Sequence, residues 1–238
     1  MTLDRRCFLS GLSTTFLPLL SGCDKVSSVT YRFRTTIEVK TPDGLFSGST
    51  VRQLSYGKPN FPFVSGRFYP QNIKGESVII DLPAGSLFSL LYYGHSNTES
   101  GDGELLSYVD NHPEIDYGDI AKERSNQIDK MDFLIRRRLR WELPRDQYPR
   151  IVRFRNLDDP KSAELVYPGN MQKILGDGSD IVKISLEIVD DNVTDNIRKY
   201  IPWIDRYLSI SFAGNRHNAS NDFLDTLSLS SFTTEARP

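Results

Sequence analysis

The chain has 238 residues, with 29 lysines and arginines against 31 aspartates and glutamates, and a formal net charge of −2. Hydrophobic residues make up 38% of it, which is too many, at so balanced a charge, for a wholly disordered protein. The near-neutral charge gives no general attraction to nucleic acid, and two cysteines are too few for a disulfide-rich scaffold. We therefore expect a globular domain without a nucleic-acid partner.

Residues 1–22 are typical of a secretory signal peptide. Arg5 and Arg6 form a basic start, and the mildly apolar run from 7 to 20 that follows is shorter and more polar than a membrane span. The arginine pair resembles the twin-arginine export motif, although Asp4 and Ser10 depart from its usual flanks. Export through the twin-arginine or the general secretory route therefore stays open. The competing interpretations are a buried N-terminal helix and an uncleaved anchor.

The end of the apolar run resembles the lipobox of bacterial lipoproteins, an apolar residue and two small residues before a cysteine. These residues are Leu20, Ser21, Gly22 and Cys23. The resemblance implies cleavage before Cys23 and attachment of diacylglyceryl and acyl groups, such as palmitate, to that residue. Because two or more acyl chains hold a protein firmly at a bilayer, we expect Cys23 to be a membrane anchor, with residues 23–30 as a lipidated tether.

The residue after the lipobox cysteine bears on location. Asp24 resembles the signal that keeps lipoproteins of enteric bacteria in the inner membrane. The expected location is therefore the periplasmic face of the inner membrane, with the outer membrane as the alternative. Cys7 would be removed with the signal and Cys23 would be lipidated, so the mature chain would hold neither a free thiol nor a disulfide.

Residues 31–214 are predicted to form a single α+β domain dominated by a mainly antiparallel sheet. Apolar and polar residues alternate most regularly in 31–40 and 180–190, as in half-buried strands. The turn formers of residues 41–44 predict a hairpin between 31–40 and 45–56. Further strands are expected at 77–82, 86–93, 151–155 and 163–167, and loops at 58–70 and 94–104.

Helical signals are fewer. Apolar residues at three- and four-residue spacing predict one longer helix over 119–141, ended by Pro144. Short helices are expected at 170–175 and 194–203. The chain is rich in serine, threonine and asparagine after Phe212, which predicts a loose, flexible tail over 215–238.

Catalytic and metal-binding motifs are absent from the sequence. There is no P-loop or dinucleotide-binding glycine motif, and His95, His112 and His217 lack metal-ligand spacing. The loop with His95, Glu99, Asp102 and Glu104 is interpreted as a solubilising loop. We therefore predict no catalytic residue, no metal and no cofactor, and a binding or structural role is favoured over an enzymatic one.

A second acidic cluster comprises Asp190, Asp191, Asn192 and Asp195. It lacks the glycine and the distal glutamate of an EF-hand loop, so we interpret it as a strand end followed by a helix N-cap at Asn192 or Thr194 rather than as a calcium site.

The most conspicuous charge feature is the basic segment, residues 136–140, with arginine at every position except Leu139. Such a segment near a bilayer would contact anionic headgroups. A solvated helix face, compensated by Asp129, Asp132 and Glu142, is the preferred interpretation. The aromatic-rich residues 56–69 and the stretch 90–93 are candidate contact surfaces, which core packing explains equally well.

Four segments resemble one family of uncharacterised bacterial proteins, namely 38–51, 152–161, 185–194 and 201–204. The resemblance implies a single domain whose N- and C-terminal parts belong together, and it carries over no activity and no functional residue. Our leading hypothesis is a membrane-anchored envelope lipoprotein, with the membrane and an envelope protein as partners. The alternative is a periplasmic, lipid-anchored, hydrolase-like enzyme with a dispersed active site, which a deep pocket with convergent polar groups would favour.

Overall fold

A computed structural model describes residues 28–57, 69–93, 135–214 and 223–235. Within these ranges the side chains at 28, 29, 56, 57, 69–72, 92 and 93 are not described. The described strands form two antiparallel sheets, and helices are few and short, so the predicted sheet-dominated α+β class is confirmed.

The first sheet has five strands in the order β3-β2-β1-β9-β6. Its strands are β1 Ser28–Thr41, β2 Gly44–Gly57, β3 Tyr69–Lys74, β6 Arg140–Glu142 and β9 Asp180–Val189. The second sheet has four strands in the order β4-β5-β7-β8. They are β4 Ile79–Ile80, β5 Leu87–Tyr93, β7 Pro149–Phe154 and β8 Ala163–Val166.

The long hairpin of β1 and β2 follows the prediction from alternation. Every residue of β1 pairs with one of β2, from Ser28 with Gly57 to Thr41 with Gly44. Gly44 has φ +139°, a backbone conformation that L side chains rarely adopt, which explains the glycine at this tight turn. From Tyr31 to Thr41 the odd-numbered residues of β1 point inward and are buried, and the even-numbered ones from Thr30 to Lys40 line the outward face.

The second sheet separates two cores. On one face Leu87 and Ile151 pack against the inward side of the first sheet and form the first core. On the other face Phe88 and Val152 pack against apolar residues of 197–212 and 227–232, which we call the C-terminal segments, and form the second core. Adjacent apolar residues in β5 and β7 thus reach opposite cores, because successive side chains of a strand point to opposite faces. The described residues therefore form three layers, namely the first sheet, the second sheet and the C-terminal segments.

The helical elements include one eight-residue helix and several shorter ones in the third layer. Helix α1, Pro168–Leu175, starts with a proline at its first turn and ends at Gly176, with φ +100°. This confirms the helix expected at 170–175. The third layer contains helix α2, Ile197–Tyr200, helix α3, Phe223–Thr226, and the 3-10 helices Ile204–Tyr207 and Leu229–Ser231.

The sequence prediction is wrong in the basic segment. Residues 135–137 are helical, but Arg140–Glu142 forms the edge strand β6 instead of the end of a helix over 119–141. Arg138, with φ +46°, reverses the chain before β6. Trp141 is buried in the first core, between the exposed residues Arg140 and Glu142. A strand of three residues is too short for its alternation to be recognised in the sequence. The rest of the predicted helix lies outside the described residues.

The expectation for the tail is also corrected in part. Leu227, Leu229 and Phe232 are buried in the second core, and the ring of Phe232 stacks on that of Phe212 with centroids 5.6 Å apart. Polar residues surround these few apolar ones in the sequence and conceal their packing. Residues 215–222 and 236–238 lie outside the described part, as does 58–68 of the predicted loop 58–70, whose last two residues begin β3.

Three smaller predictions also change. The bulge in β9 opposite Glu38 and Val39 leaves Val182 44% exposed and buries Ile181 instead, so the predicted inward-facing set holds only at Ile184, Leu186 and Ile188, and Ser185 is buried as well. The helix expected at 194–203 is reduced to α2. Leu90 and Leu91 are buried, so the stretch 90–93 contributes core packing at those two positions rather than a contact surface.

The two sheets approach each other closely at Gly48. A Cβ atom placed there would lie 1.9 Å from the carbonyl oxygen of Ile79, a backbone atom that cannot move aside cheaply. We predict that Gly48→Ala lowers the free energy of unfolding by about 3 kcal/mol or more, because it forces the sheets apart. Denaturant unfolding of Gly48→Ala and of the control Ser49→Ala, at an exposed neighbouring position, measures this. Equal stability of the two variants would contradict the close approach.

Two threonines face each other inside the first core. Thr35 and Thr50 are paired across β1 and β2, both are buried, and their hydroxyl groups make no hydrogen bond to the described residues. We expect Thr35→Val to raise the free energy of unfolding by about 1 kcal/mol, because it removes an unsatisfied buried hydroxyl and keeps the branched shape. The control is Thr36→Val on the outward face. A loss of stability in Thr35→Val on thermal unfolding would show that the hydroxyl is satisfied.

Candidate functional site

The predicted anchoring residues lie outside the described part of the chain. They are Arg5, Arg6, Leu20, Ser21, Gly22 and Cys23. The structure instead shows where the chain enters the fold, because β1 begins at Ser28, five positions after Cys23. We call the end of the first sheet where β1 begins the entry end, and the end with the β1–β2 turn the far end.

The outward face of the first sheet carries charged side chains near the entry end. Arg34 of β1 lies beside Glu187 of β9, with a nitrogen–oxygen distance of 3.5 Å, and Arg140 of β6 is the strand partner of Glu187 on its other side. Arg32 lies on the same face, two residues nearer the entry end than Arg34, and its Nε donates a hydrogen bond to Oε1 of Gln53 at 3.1 Å. This face thus presents alternating charges rather than an apolar surface.

A crossing segment, residues 190–194, runs over this face. Nη1 of Arg32 donates to the backbone oxygens of Asp190 and Asp191, at 3.2 Å each. Arg34 Nη2 lies 2.6 Å from a carboxylate oxygen of Asp191. At its end, Thr194 exchanges hydrogen bonds of 3.0 and 2.8 Å with the backbone of Val51 on the outer edge of β2. The segment therefore passes from β9 across β1 to β2.

These contacts change the interpretation of the acidic cluster. The carboxylate of Asp191 contacts Arg34, and that of Asp190 contacts Arg138 of the basic segment. The cluster follows a strand, as expected, but Asn192 and Thr194 do not cap the next helix, which begins at Ile197. Among the described residues, no group of three or more histidine, cysteine, aspartate or glutamate side chains is arranged to hold a metal ion.

The basic segment lies at the entry end. The backbone N–H of Ile188, near the end of β9, donates to the oxygen of Leu139 at 3.0 Å, and β9 ends beside Arg32 of β1. Arg138 thus lies level with the start of the β1–β9 pairing. The four arginines of the segment are exposed. The sequence predicts that Glu142 offsets the charge of these arginines on a helix face. Glu142 lies instead in the strand β6, where its carboxylate is 4.0 Å from Nζ of Lys183.

The far end has the opposite charge balance. Around the β1–β2 turn lie four aspartates and three basic residues, and Arg145 forms an ion pair with Asp180 at 2.7 Å. This side-chain hydrogen bond from Arg145 lowers the pKa of Asp180. The aspartates are Asp43, Asp146, Asp177 and Asp180, and the basic residues are Lys40, Arg145 and Lys173. The first sheet is therefore electrically asymmetric along its strands.

A buried carboxylate joins the second and third layers. Glu76 is 2% exposed, and its two carboxylate oxygens accept hydrogen bonds from the backbone N–H of Asn196 at 2.7 and 2.8 Å and from Ile197 at 2.8 Å. The side chain of Glu76 thus caps α2 from a distant part of the chain. The backbone oxygen of Glu76 accepts from Nε of Arg52, which is itself buried, at 3.1 Å.

The residues around Glu76 also hold the C-terminal segment. Ser77 N–H donates to the oxygen of Phe232 at 2.7 Å, Thr234 N–H donates to the oxygen of Gly75 at 3.0 Å, and Glu76 forms a β-bridge with Thr233. Nothing in the sequence analysis singled out Glu76. The available signal was an acidic residue two positions before the apolar run 78–80, where a charge must find buried partners.

The remaining predicted residues are not brought together. His95, His112, His217, Glu99, Asp102 and Glu104 all lie outside the described residues. No helix in the described part is long and apolar enough to cross a membrane. Comparisons with protein-family models, curated proteins and solved structures give no match to this chain. The proposed resemblance to uncharacterised bacterial proteins therefore stays a prediction.

Burial raises the pKa of the Glu76 carboxyl above its ordinary value, against the opposing effect of the Ile197 and Asn196 N–H groups. Asp195 adds to the rise, and Arg198 opposes it. The folded state therefore holds this proton more tightly than the unfolded state, which favours folding at low pH and loses that contribution as pH rises through the folded pKa.

We compare the free energy of unfolding of the parent protein with that of Glu76→Gln, whose side chain at this position does not titrate. We predict that the parent value minus the variant value decreases as pH rises from about 4 towards neutrality, because the pKa of Glu76 is raised in the folded state. Urea unfolding at several pH values measures the difference. Asn196→Ala is the matched control, since it keeps both backbone donors and should retain the parent pH dependence. A difference that grows with pH would mean that the hydrogen bonds outweigh burial.

Proposed function

We propose that this protein is a bacterial envelope lipoprotein, anchored through lipid on Cys23, with a binding or structural role. The observation that carries the proposal is the lipobox-like run Leu20, Ser21, Gly22 and Cys23, placed after a short apolar segment and before the fold. The signal is removed before Cys23, and the anchored domain faces the periplasm from the inner membrane. Its partners are the membrane and an envelope protein.

The position of β1 supports this proposal. The first strand starts at Ser28, so cleavage before Cys23 removes no described strand or helix. Five residue steps from Cys23 to Ser28 span at most about 18 Å, so the entry end is held close to the bilayer surface. The tether therefore leaves the domain little freedom to move away from the membrane.

The outward face of the first sheet supports a binding role. Its charged groups stand on regular strands and are held by neighbours, such as Arg34 between Glu187 and Asp191. Groups fixed on a sheet present a defined pattern of charge to a partner, at a smaller entropy cost than groups on loops. The pattern favours a polar or charged partner over an apolar one.

The decisive test compares Cys23→Ser with Cys7→Ser, each made in the full chain and expressed in a bacterium with lipoprotein processing. The parent and Cys7→Ser should be cleaved before Cys23, carry acyl groups and fractionate with membranes. Cys23→Ser should lose acyl labelling and membrane association, because the attachment of lipid requires the thiol. Intact mass spectrometry and fractionation measure both. An unmodified thiol at position 23 in the purified parent would overturn the proposal.

A further inference from the structure

We propose that the entry end of the first sheet is a docking surface for anionic lipid headgroups, formed by Arg136, Arg137 and Arg140. The presence of a membrane beside the domain rests on the proposed function. The docking surface adds the orientation of the domain on that membrane and the class of lipid that the domain contacts. The carrying observation is the placement of an exposed basic segment at the end of the sheet where the chain enters from Cys23.

The strand register places the two features together. Arg140 pairs with Glu187 of β9, and Leu139 accepts a hydrogen bond from Ile188, so the segment continues towards the end of β9. Val189 pairs with Arg32, which lies four positions after Ser28. Glu187 pairs in turn with Arg34, so Arg140 lies about 20 Å along β1 from Ser28, Val189 lies about 14 Å from it, and the far end of β1 lies about 44 Å from it. Arg140 therefore lies in the half of the sheet nearer the anchor, and Arg136 and Arg137 precede Arg138, which contacts Asp190 just beyond the end of β9.

Three features favour a negatively charged lipid surface as the partner. Arg136, Arg137 and Arg140 are exposed, and Arg140 stands on a strand, which fixes its backbone. Guanidinium groups bind phosphate through several N–H donors at once. The acidic far end would be repelled by the same surface, so attraction at one end and repulsion at the other give a single preferred orientation.

The range of the attraction suits this arrangement. Charges interact over a Debye length of about 8 Å at physiological ionic strength, so only basic groups held near the bilayer contribute. Basic residues elsewhere, such as Lys161, Lys173 and Arg206, are also exposed but lie in the turn before β8, in α1 and in the third layer. They provide the matched control for charge without the location.

The test measures binding of the purified full chain carrying Cys23→Ser to vesicles, so that no lipid anchor contributes. The vesicles contain phosphatidylcholine alone or with about one-third phosphatidylglycerol. The chain with its arginines should bind the anionic vesicles more tightly, and added salt should weaken that binding. R136E/R137E/R140E should reduce affinity for anionic vesicles by roughly 100-fold and leave affinity for phosphatidylcholine unchanged.

The control variant K161E/K173E/R206E makes the same change in net charge and should keep the parent affinity within a few-fold. R136Q/R137Q/R140Q should give an intermediate loss, and thermal unfolding verifies that each variant is folded. Equal losses in the arginine and control variants, or no preference for anionic vesicles in the parent, would overturn the docking surface. Millimolar inorganic phosphate should not compete, and full displacement by it would also overturn the lipid assignment.

The result of this test does not depend on whether the protein is lipidated, so the docking surface and the lipid anchor can be contradicted separately. All variants carry serine at position 23, so vesicle binding does not depend on lipidation, and they share the N-terminal residues 1–22, whose contribution cancels in the comparison. An unmodified thiol at position 23 in the native protein would remove the anchor, and loss of the arginine effect would remove the docking surface.

Discussion

The second sheet carries apolar side chains on both faces, and the rest of the described structure depends on covering them. In β5 and β7 neighbouring apolar residues point in opposite directions, so that Leu87 and Ile151 enter one core while Phe88 and Val152 enter the other. A sheet of this kind cannot leave one face in water, because exposing a face would return each of its apolar side chains to solvent. It requires the first sheet on one side and the C-terminal segments on the other, which explains why residues distant in sequence belong to one domain.

Glu76 shows how the third layer is fixed in register. Apolar packing is non-directional, and the aromatic cluster of Phe154, Trp203 and Phe212 alone would permit sliding. A buried carboxylate is different, because it is tolerated only where donors meet it at hydrogen-bond distance. The N–H groups of Asn196 and Ile197 satisfy that condition in one arrangement of α2 against the segment 75–77. The charge therefore contributes specificity, while its burial limits how much it contributes to stability.

The sequence predicts strands well where one face is buried over many residues. The alternation of 31–40 indicated β1 and its hairpin partner, since ten residues of regular alternation outweigh local irregularity. The pattern failed where tertiary structure overrides it. The bulge in β9 exposes Val182 and buries Ile181, and bulges leave no trace in hydrophobicity. The strand β6 has only three residues and follows a run of helix-forming residues, so propensity favoured the wrong element.

The candidate site was only partly accessible from the sequence, for a different reason. The lipobox resemblance is local and can be recognised residue by residue. The basic segment was equally visible, but its meaning depends on which end of the sheet it occupies. Register supplies that information: Arg140 opposite Glu187, and Glu187 and Val189 opposite Arg34 and Arg32, place the segment level with the half of β1 nearer its start. No spacing in the sequence relates residue 140 to residue 28.

Under the proposed anchoring, the charge asymmetry of the first sheet also has a consequence for the remaining surface. A short tether limits the distance of the domain from the bilayer, but it does not by itself choose which side faces the lipid. A basic entry end and an acidic far end choose one orientation, and that orientation directs the turn around Asp43 towards the periplasm. A soluble envelope partner would then meet the far end, whose aspartates outnumber its basic residues. Under the same proposal, a basic surface on that partner would complement the acidic far end.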